Sequence, residues 1–204
     1  MTPPTDEELE TILATVTPKY RALVLIAAIG GLGWGEATPL RAADLTTERN
    51  YDGSVRAVRI AVARGMTRTK GELITGSTKT HAVVREVAIL GDDAQIIAAH
   101  SRDLIGDALL FPAPDGQQHL SLSTFHRHCG KARRAAGRSD MPLHALRHYA
   151  GTTYAQTGAT VRETTARLGH ASTAAAMCYQ HSGTRGRRVG RPDAAPSDLP
   201  KHPL

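Results

Sequence analysis

From Pro18 to Gly30 the chain reads Pro-Lys-Tyr-Arg-Ala-Leu-Val-Leu-Ile-Ala-Ala-Ile-Gly, and Ala22 to Ile29 is apolar nearly all round. A helix without a polar face must be wrapped by other elements on every side. Pro18 suits a first helical position and Gly30-Gly31 a helix end, so the pattern predicts a central core helix over about 18–29. Even carried on through Leu32, the apolar stretch is far short of the roughly 20 residues that a membrane helix needs. With 204 residues and 41% apolar content, the chain has the material for one ordinary domain, or at most two small ones, built around that helix.

The neighbouring elements are legible from caps and periodicity. Thr5-Asp-Glu-Glu8 is a capping box with Leu9, Ile12 and Leu13 behind it, which predicts a first helix over about 6–15. A short helix is expected over 34–42. Val55 to Ala63, Glu72 to Thr75 and Val83 to Leu90 alternate as strands and predict one small antiparallel sheet. Asp92 is expected to cap a helix carrying Ile96, Ile97 and Leu104. The second half is helical: 122–136, closing at Gly137; 144–157, closing at Gly158; a helix from the capping box Thr160-Val-Arg-Glu163 to about Leu168; and a last one from Ser172 or Thr173 through Tyr179. The fold class is therefore α+β, mostly helical, with a small antiparallel β-sheet. Residues 1–181 form the folded unit, and 182–204 read as a basic Pro/Gly-rich disordered tail.

Charge is divided unevenly. Residues 1–120 hold 12 basic and 15 acidic residues, whereas 121–181 hold 8 against 2 and 182–204 hold 5 against 2. The positive field of this +6 protein lies in its C-terminal half, where a polyanion would dock. Arg127, Lys131 and Arg134 form a stripe on the 122–136 helix that is either a plain solvated face or a phosphate-binding one. The acidic N-terminus lacks the basic and apolar regions of a secretory signal, and two cysteines, Cys129 and Cys178, suit reduced thiols; the cytoplasm is the expected location. The 4% aromatic content argues against a stacking platform for single strands.

On a helix, His144, Arg147 and His148 share one face. Leu168-Gly-His170 follows at a distance, and Tyr179 comes nine residues after His170. Each piece alone is weak, since a lone Leu-Gly-His is a turn and a lone tyrosine on an apolar helix is core. The order and spacing of His144-x-x-Arg147, Leu168-Gly-His170 and Tyr179 resemble the catalytic domain of the tyrosine recombinase (phage integrase) family. The resemblance extends through Leu110-Phe-Pro112, Gly116, Thr124-Phe-His-Arg127 and Ala135-Ala-Gly137. Thr78-Lys79-Thr80 with Arg85-Glu-Val87 looks like the family's lysine-bearing hairpin, and Tyr20 to Leu45 resembles its first core helices, so about residues 5–181 are covered.

That resemblance implies a fold like the tyrosine recombinase catalytic domain and transesterification of double-stranded DNA, with homo-oligomers on DNA and no metal, cofactor or membrane. Tyr179 would attack phosphorus to give a 3′-phosphotyrosine, and Arg147 would hold two non-bridging oxygens with its planar fork. His144 would handle the tyrosine proton, His170 would donate to a phosphate oxygen, and Lys79 would protonate the leaving 5′-oxygen. Lys70 lies close in sequence as an alternative lysine.

Two features depart from the family pattern. A second catalytic arginine is expected in a Gly-Leu-Arg-x-x-Glu segment, yet this chain reads Gly31-Leu32-Gly33-Trp34-Gly35-Glu36, with Gly33 at the arginine's place. Loss of one clamp cation would cost about 3 to 4 kcal/mol of transition-state stabilisation if it acted like loss of an oxyanion-hole donor. Arg41, about two helical turns on, is a poor replacement. The chain also begins almost at the catalytic domain, so the family's N-terminal core-binding domain is expected to be absent. Val83 stands where a small polar residue is frequent.

Three readings follow: an integrase-type enzyme, active or impaired; a catalytically inactive DNA-binding remnant of one; and a helix-turn-helix regulator over 161–180, with Arg162 or Arg167 contacting DNA. The His126/His128 and His144/His148 pairs would admit zinc by spacing alone, but no Cys-x-x-Cys or His-Glu-x-x-His accompanies them.

Overall fold

The computed structural model describes residues 2–69, 72–77, 85–116 and 118–169. Seven helices and five strands lie within them: α1 (Asp6–Thr15), α2 (Arg21–Ala28), α3 (Trp34–Ala37), β1 (Leu45–Arg49), β2 (Val55–Val62), β3 (Arg64–Thr69), β4 (Glu72–Ser77), β5 (Arg85–Leu90), α4 (Gly91–Ser101), α5 (Leu122–Ala135), α6 (His144–Gln156) and α7 (Val161–Leu168). The arrangement is α+β and predominantly helical. Among the described residues no helix is long and apolar enough to cross a membrane.

The apolar segment is the central helix. A 3₁₀ turn at Pro18–Tyr20 leads into α2, which packs against α6 on one side and α4 on another. Every residue from Ala22 to Ala28 is buried. Burying Leu23, Leu25 and Ile26 contributes about 1.5 to 3 kcal/mol each. Because no face of α2 is spare, all its neighbours are located relative to it.

The sheet differs from the expected one. Its strand order is β1-β2-β5, antiparallel throughout, with Val58 opposite Ile89 and Ile60 opposite Val87. Those four side chains are buried, and α4 packs on β2 and β5. Leu45–Arg49, not expected as a strand, supplies the edge, with a bulge between Glu48 and Arg49. Glu72–Ser77 pairs with β3 instead, in a separate two-stranded ribbon that continues from β2.

Other boundaries moved for local reasons. The helix expected over 34–42 stops at Ala37: Thr38 still has helical backbone as the cap, but Pro39 has no N–H with which to continue the helical hydrogen bonds. Gly35 within α3 is required by close approach: a Cβ there would collide with the backbone of Met66 on β3. Helix α4 starts at Gly91, directly off β5, so Asp92 is not its cap. It lies in the first turn with Asp93, where the carboxylates meet the positive end of the helix dipole. The capping boxes at Thr5 and Thr160 form as expected, and Ser121 caps α5. The last helix expected before Tyr179, and the tail, lie outside the described residues.

Candidate active site

The site is built outward from one carboxylate. Glu36, at the third position of α3, accepts the Gly33 backbone N–H through Oε2 at 3.0 Å, closing the first turn. The same Oε2 accepts Arg147 Nη1 at 2.7 Å, and Oε1 accepts Arg85 Nη1 at 2.6 Å. Thus one carboxylate from α3 holds a guanidinium from α6 and another from the start of β5. Burial pushes the Glu36 carboxyl up, but the Arg85 hydrogen bond and charge, the Arg147 charge and the Gly33 amide together outweigh it. Glu36 is held below the ordinary carboxylate range.

Arg147 is only 8% exposed although it is an arginine. Its Nη1 also donates to Gly31 O at 3.0 Å, and its Nη2 donates to Leu168 O. The fork is therefore fixed by the end of α2, by α3 and by the end of α7. A guanidinium pinned on several sides loses little freedom on meeting an anion. Beside it opens a cleft of about 200 Å³, lined by Gly33, Trp34, Leu122, His126, Leu143, His144 and Arg147.

His144 begins α6 and stands one turn before Arg147 on the cleft wall. Its ring meets that of His148 edge to face at 4.9 Å. Burial and then the Arg147 charge push the His144 imidazole down; burial, His144, the amino terminus and Arg147 do the same to His148. A histidine kept neutral in this way can accept a proton near neutral pH. His126, which also lines the cleft, is likewise pushed down by burial and then by Arg133.

Gly33 has φ −74° and ψ 165°, a backbone that any residue adopts. A Cβ there would lie 3.5 Å from Arg147 Nη1 and 3.7 Å from Glu36 Oε2, ordinary contacts. Neither backbone nor packing demands glycine, and a longer side chain would leave position 33 alongside the Arg147 guanidinium. Arg41 does not substitute for it, being paired with Asp107 at 2.7 Å.

Of the five predicted site residues, His144 and Arg147 come together at this cleft. Lys79, His170 and Tyr179 lie outside the described residues, as does the alternative Lys70. Two contributors were missed by sequence reasoning, Arg85 and the double pairing of Glu36. The only sequence signal for either was the place of Glu36 three residues after Gly33 and of Arg85 at the start of a strand. The helix-turn-helix reading fails for Arg167, which is 6% exposed and donates from Nη2 to Ile29 O and Ala88 O, both at 3.1 Å. Its guanidinium lies over the Tyr154 ring. It staples α7 to α2 and β5 and does not face outward. Cys129 is buried, with burial pushing its thiol up to about 12 against a smaller opposing effect of Arg133. Among the described residues no group of three or more His, Cys, Asp or Glu is placed to hold a metal ion.

On α5, Arg127, Lys131 and Arg134 are all exposed, while Phe125, Cys129 and Ala132 are buried. The stripe is therefore a solvent face of a helix whose first turn borders the cleft through Leu122 and His126.

Comparison with known proteins identifies the family and the fold. The model of the phage integrase family matches residues 5–185. The chain is 39% identical over 190 residues to the prophage phiRv2 integrase of Mycobacterium tuberculosis, covering 91% of this chain and 48% of that protein. It spans about half the length of the curated relatives it matches. Among solved structures it resembles the Tn1549 transposon integrase in complex with circular intermediate DNA, with a TM-score of 0.70 and 20% identity over 90% of this chain and 63% of that one. The XerH site-specific recombinase bound to palindromic difH substrate gives a TM-score of 0.63 and 22% identity over 88% and 49%. At those identities the structures speak for the fold.

Proposed function

The chain belongs to the phage integrase family, and from that premise we propose that it is the catalytic part of a site-specific DNA recombinase, working on double-stranded DNA through a 3′-phosphotyrosine. The observation that carries this reading is the Arg147 fork, locked by Glu36 and opening on a cleft that it shares with His144. A phosphodiester carries delocalised charge that repels nucleophiles, and a pre-oriented guanidinium offsets that charge as the pentacovalent transition state forms.

In the proposed reaction the Tyr179 phenol attacks phosphorus while its proton passes to His144. The bond from phosphorus to the 5′-oxygen breaks, and Lys79 gives that oxygen its proton. His170 donates to a non-bridging oxygen. The tyrosyl phosphodiester conserves the bond energy, and a 5′-hydroxyl from another strand reverses the step to complete exchange. The exposed Arg127, Lys131 and Arg134 supply phosphate contacts along the DNA. The relatives' DNA complexes support double-stranded DNA as partner, and exchange implies more than one copy on it.

A specific observation favours a second reading. Position 33 offers no cation, which fits a DNA-binding remnant with an impaired site. The two part on a nicked DNA substrate that traps the covalent intermediate, resolved on a denaturing gel. An adduct that disappears in Tyr179→Phe establishes the enzyme. Gly33→Arg is expected to raise adduct formation by about 10²- to 10³-fold, the scale of one transition-state donor. DNA shifting with no adduct from either protein establishes the remnant.

A further inference from the structure

Arg85 opens β5 with its side chain 12% exposed, and none of the proposed chemistry uses it. Its Nη1 is held by Glu36 at 2.6 Å, and its Nε donates to Arg167 O at 3.0 Å. Its Nη2 is buried with no hydrogen-bond partner, so among the described residues those two contacts hold the fork. Arg147, on the other oxygen of Glu36, donates to Leu168 O. The carbonyls of residues 167 and 168 are thus each capped by a guanidinium, and both guanidiniums hang from one carboxylate. A helix end leaves its last carbonyls unpaired and carries partial negative charge, so a pair of cations there is both a cap and an anchor. Gly169 completes the fit. It has φ +67°, and a Cβ on it would lie 2.5 Å from Arg85 Nη1 and 2.8 Å from Arg85 Cζ. The Arg85 guanidinium is packed against the turn at Gly169, the residue before His170 in sequence.

We infer that Arg85 is a positioning residue: through the end of α7 it sets where the chain departs at His170, in register with Arg147. This rests on the integrase reading for what His170 does, but the geometry stands apart from it. Arg85 itself need not touch DNA.

The test uses the full chain with Arg85→Gln, Arg85→Lys and Gly169→Ala. Three quantities are measured: adduct formation on saturating nicked DNA, DNA affinity, and the pH titration of the His170 imidazole by histidine-selective NMR, assigned with His170→Gln. Arg85→Gln is expected to slow adduct formation by about 10- to 100-fold with affinity within about twofold, the scale of a misplaced catalytic group. Its His170 titration curve should move. Arg85→Lys should not rescue, since one ammonium cannot reproduce the Nε and Nη1 directions of the fork. Gly169→Ala, which pushes the guanidinium aside while leaving it in the chain, should move the same curve and covers the case in which Arg85→Gln does not fold. An unchanged His170 curve in a folded variant overturns the inference, and so does full rescue by lysine, which would reduce the role to charge. If neither wild type nor Gly33→Arg forms an adduct, the enzymatic reading has failed, and the His170 titration still decides the positioning.

Discussion

Glu36 and Glu48 each hold two arginines, and the difference between the two clusters shows what such pairings do. Glu48, on edge strand β1, takes Arg56 and Arg59 from β2, and Arg59 also reaches Glu86 on β5 at 2.7 Å. The side chains of Arg56 and Arg59 are 62% and 33% exposed and, among the described residues, their guanidiniums bind carboxylates alone. Around Glu36 the side chains of Arg85 and Arg147 are 12% and 10% exposed, and each guanidinium goes on to cap carbonyls of other elements. The same ion-pair chemistry decorates a sheet in one place and fastens four elements together in the other. What separates them is water: an exposed pair gains little over its hydrated parts, whereas breaking a buried one strands uncompensated charge.

The comparison breaks most sharply under isosteric neutralisation. Glu36→Gln should destabilise the fold by about 3 kcal/mol or more, because two buried guanidiniums lose their counter-charge together. Glu48→Gln should leave the urea midpoint within error of wild type. Equal losses in the two variants would remove the distinction.

A change of pH probes the same contrast by a gentler route. Glu36 is depressed, so its contribution is complete above the ordinary carboxylate value of 4.5 and is lost only as pH falls below that. His144 and His148 are depressed from 6.5, so as pH drops below 6.5 the unfolded chain takes up protons that the folded site resists, and stability falls. Urea midpoints should therefore decline between pH 7.5 and 5.5. The combined His144→Gln and His148→Gln variant should lessen that decline, with His126 supplying part of the remainder, and an equally steep one would remove these two histidines as its source.

The smallest effect on stability belongs to the outermost cations. Arg127→Ala and Lys131→Ala should leave the unfolding midpoint unchanged, while each lowers the salt slope of DNA binding by about one. A change in midpoint without a change in slope would make that face structural.

Much of this molecule can be read along the chain because its determinants are local. Thr5 with Glu8 and Thr160 with Glu163 announce helix starts three residues wide, and His144-x-x-Arg147 places two side chains on one face with no knowledge of the rest. The sheet was less legible, since Leu45-Thr-Thr-Glu-Arg49 is a half-exposed edge strand whose identity comes from β2 rather than from its own pattern. Glu72 to Ser77 has strand character, but nothing in it says which strand it will meet. The Glu36 cluster was the least legible part: Arg85 is 49 residues from Glu36 and 82 from Arg167, and only folding brings them within hydrogen-bond reach.

Gly33 carries a consequence at the level of heredity. Any glycine codon becomes an arginine codon when its first base changes from G to C, and at this position an unstrained backbone and ordinary packing contacts would admit the new side chain. The lineage therefore stands one transversion away from the family's arginine. Under the proposed function, with the site impaired at position 33, selection for recombination in a host carrying this gene should recover that mutation before any rearrangement of the fold.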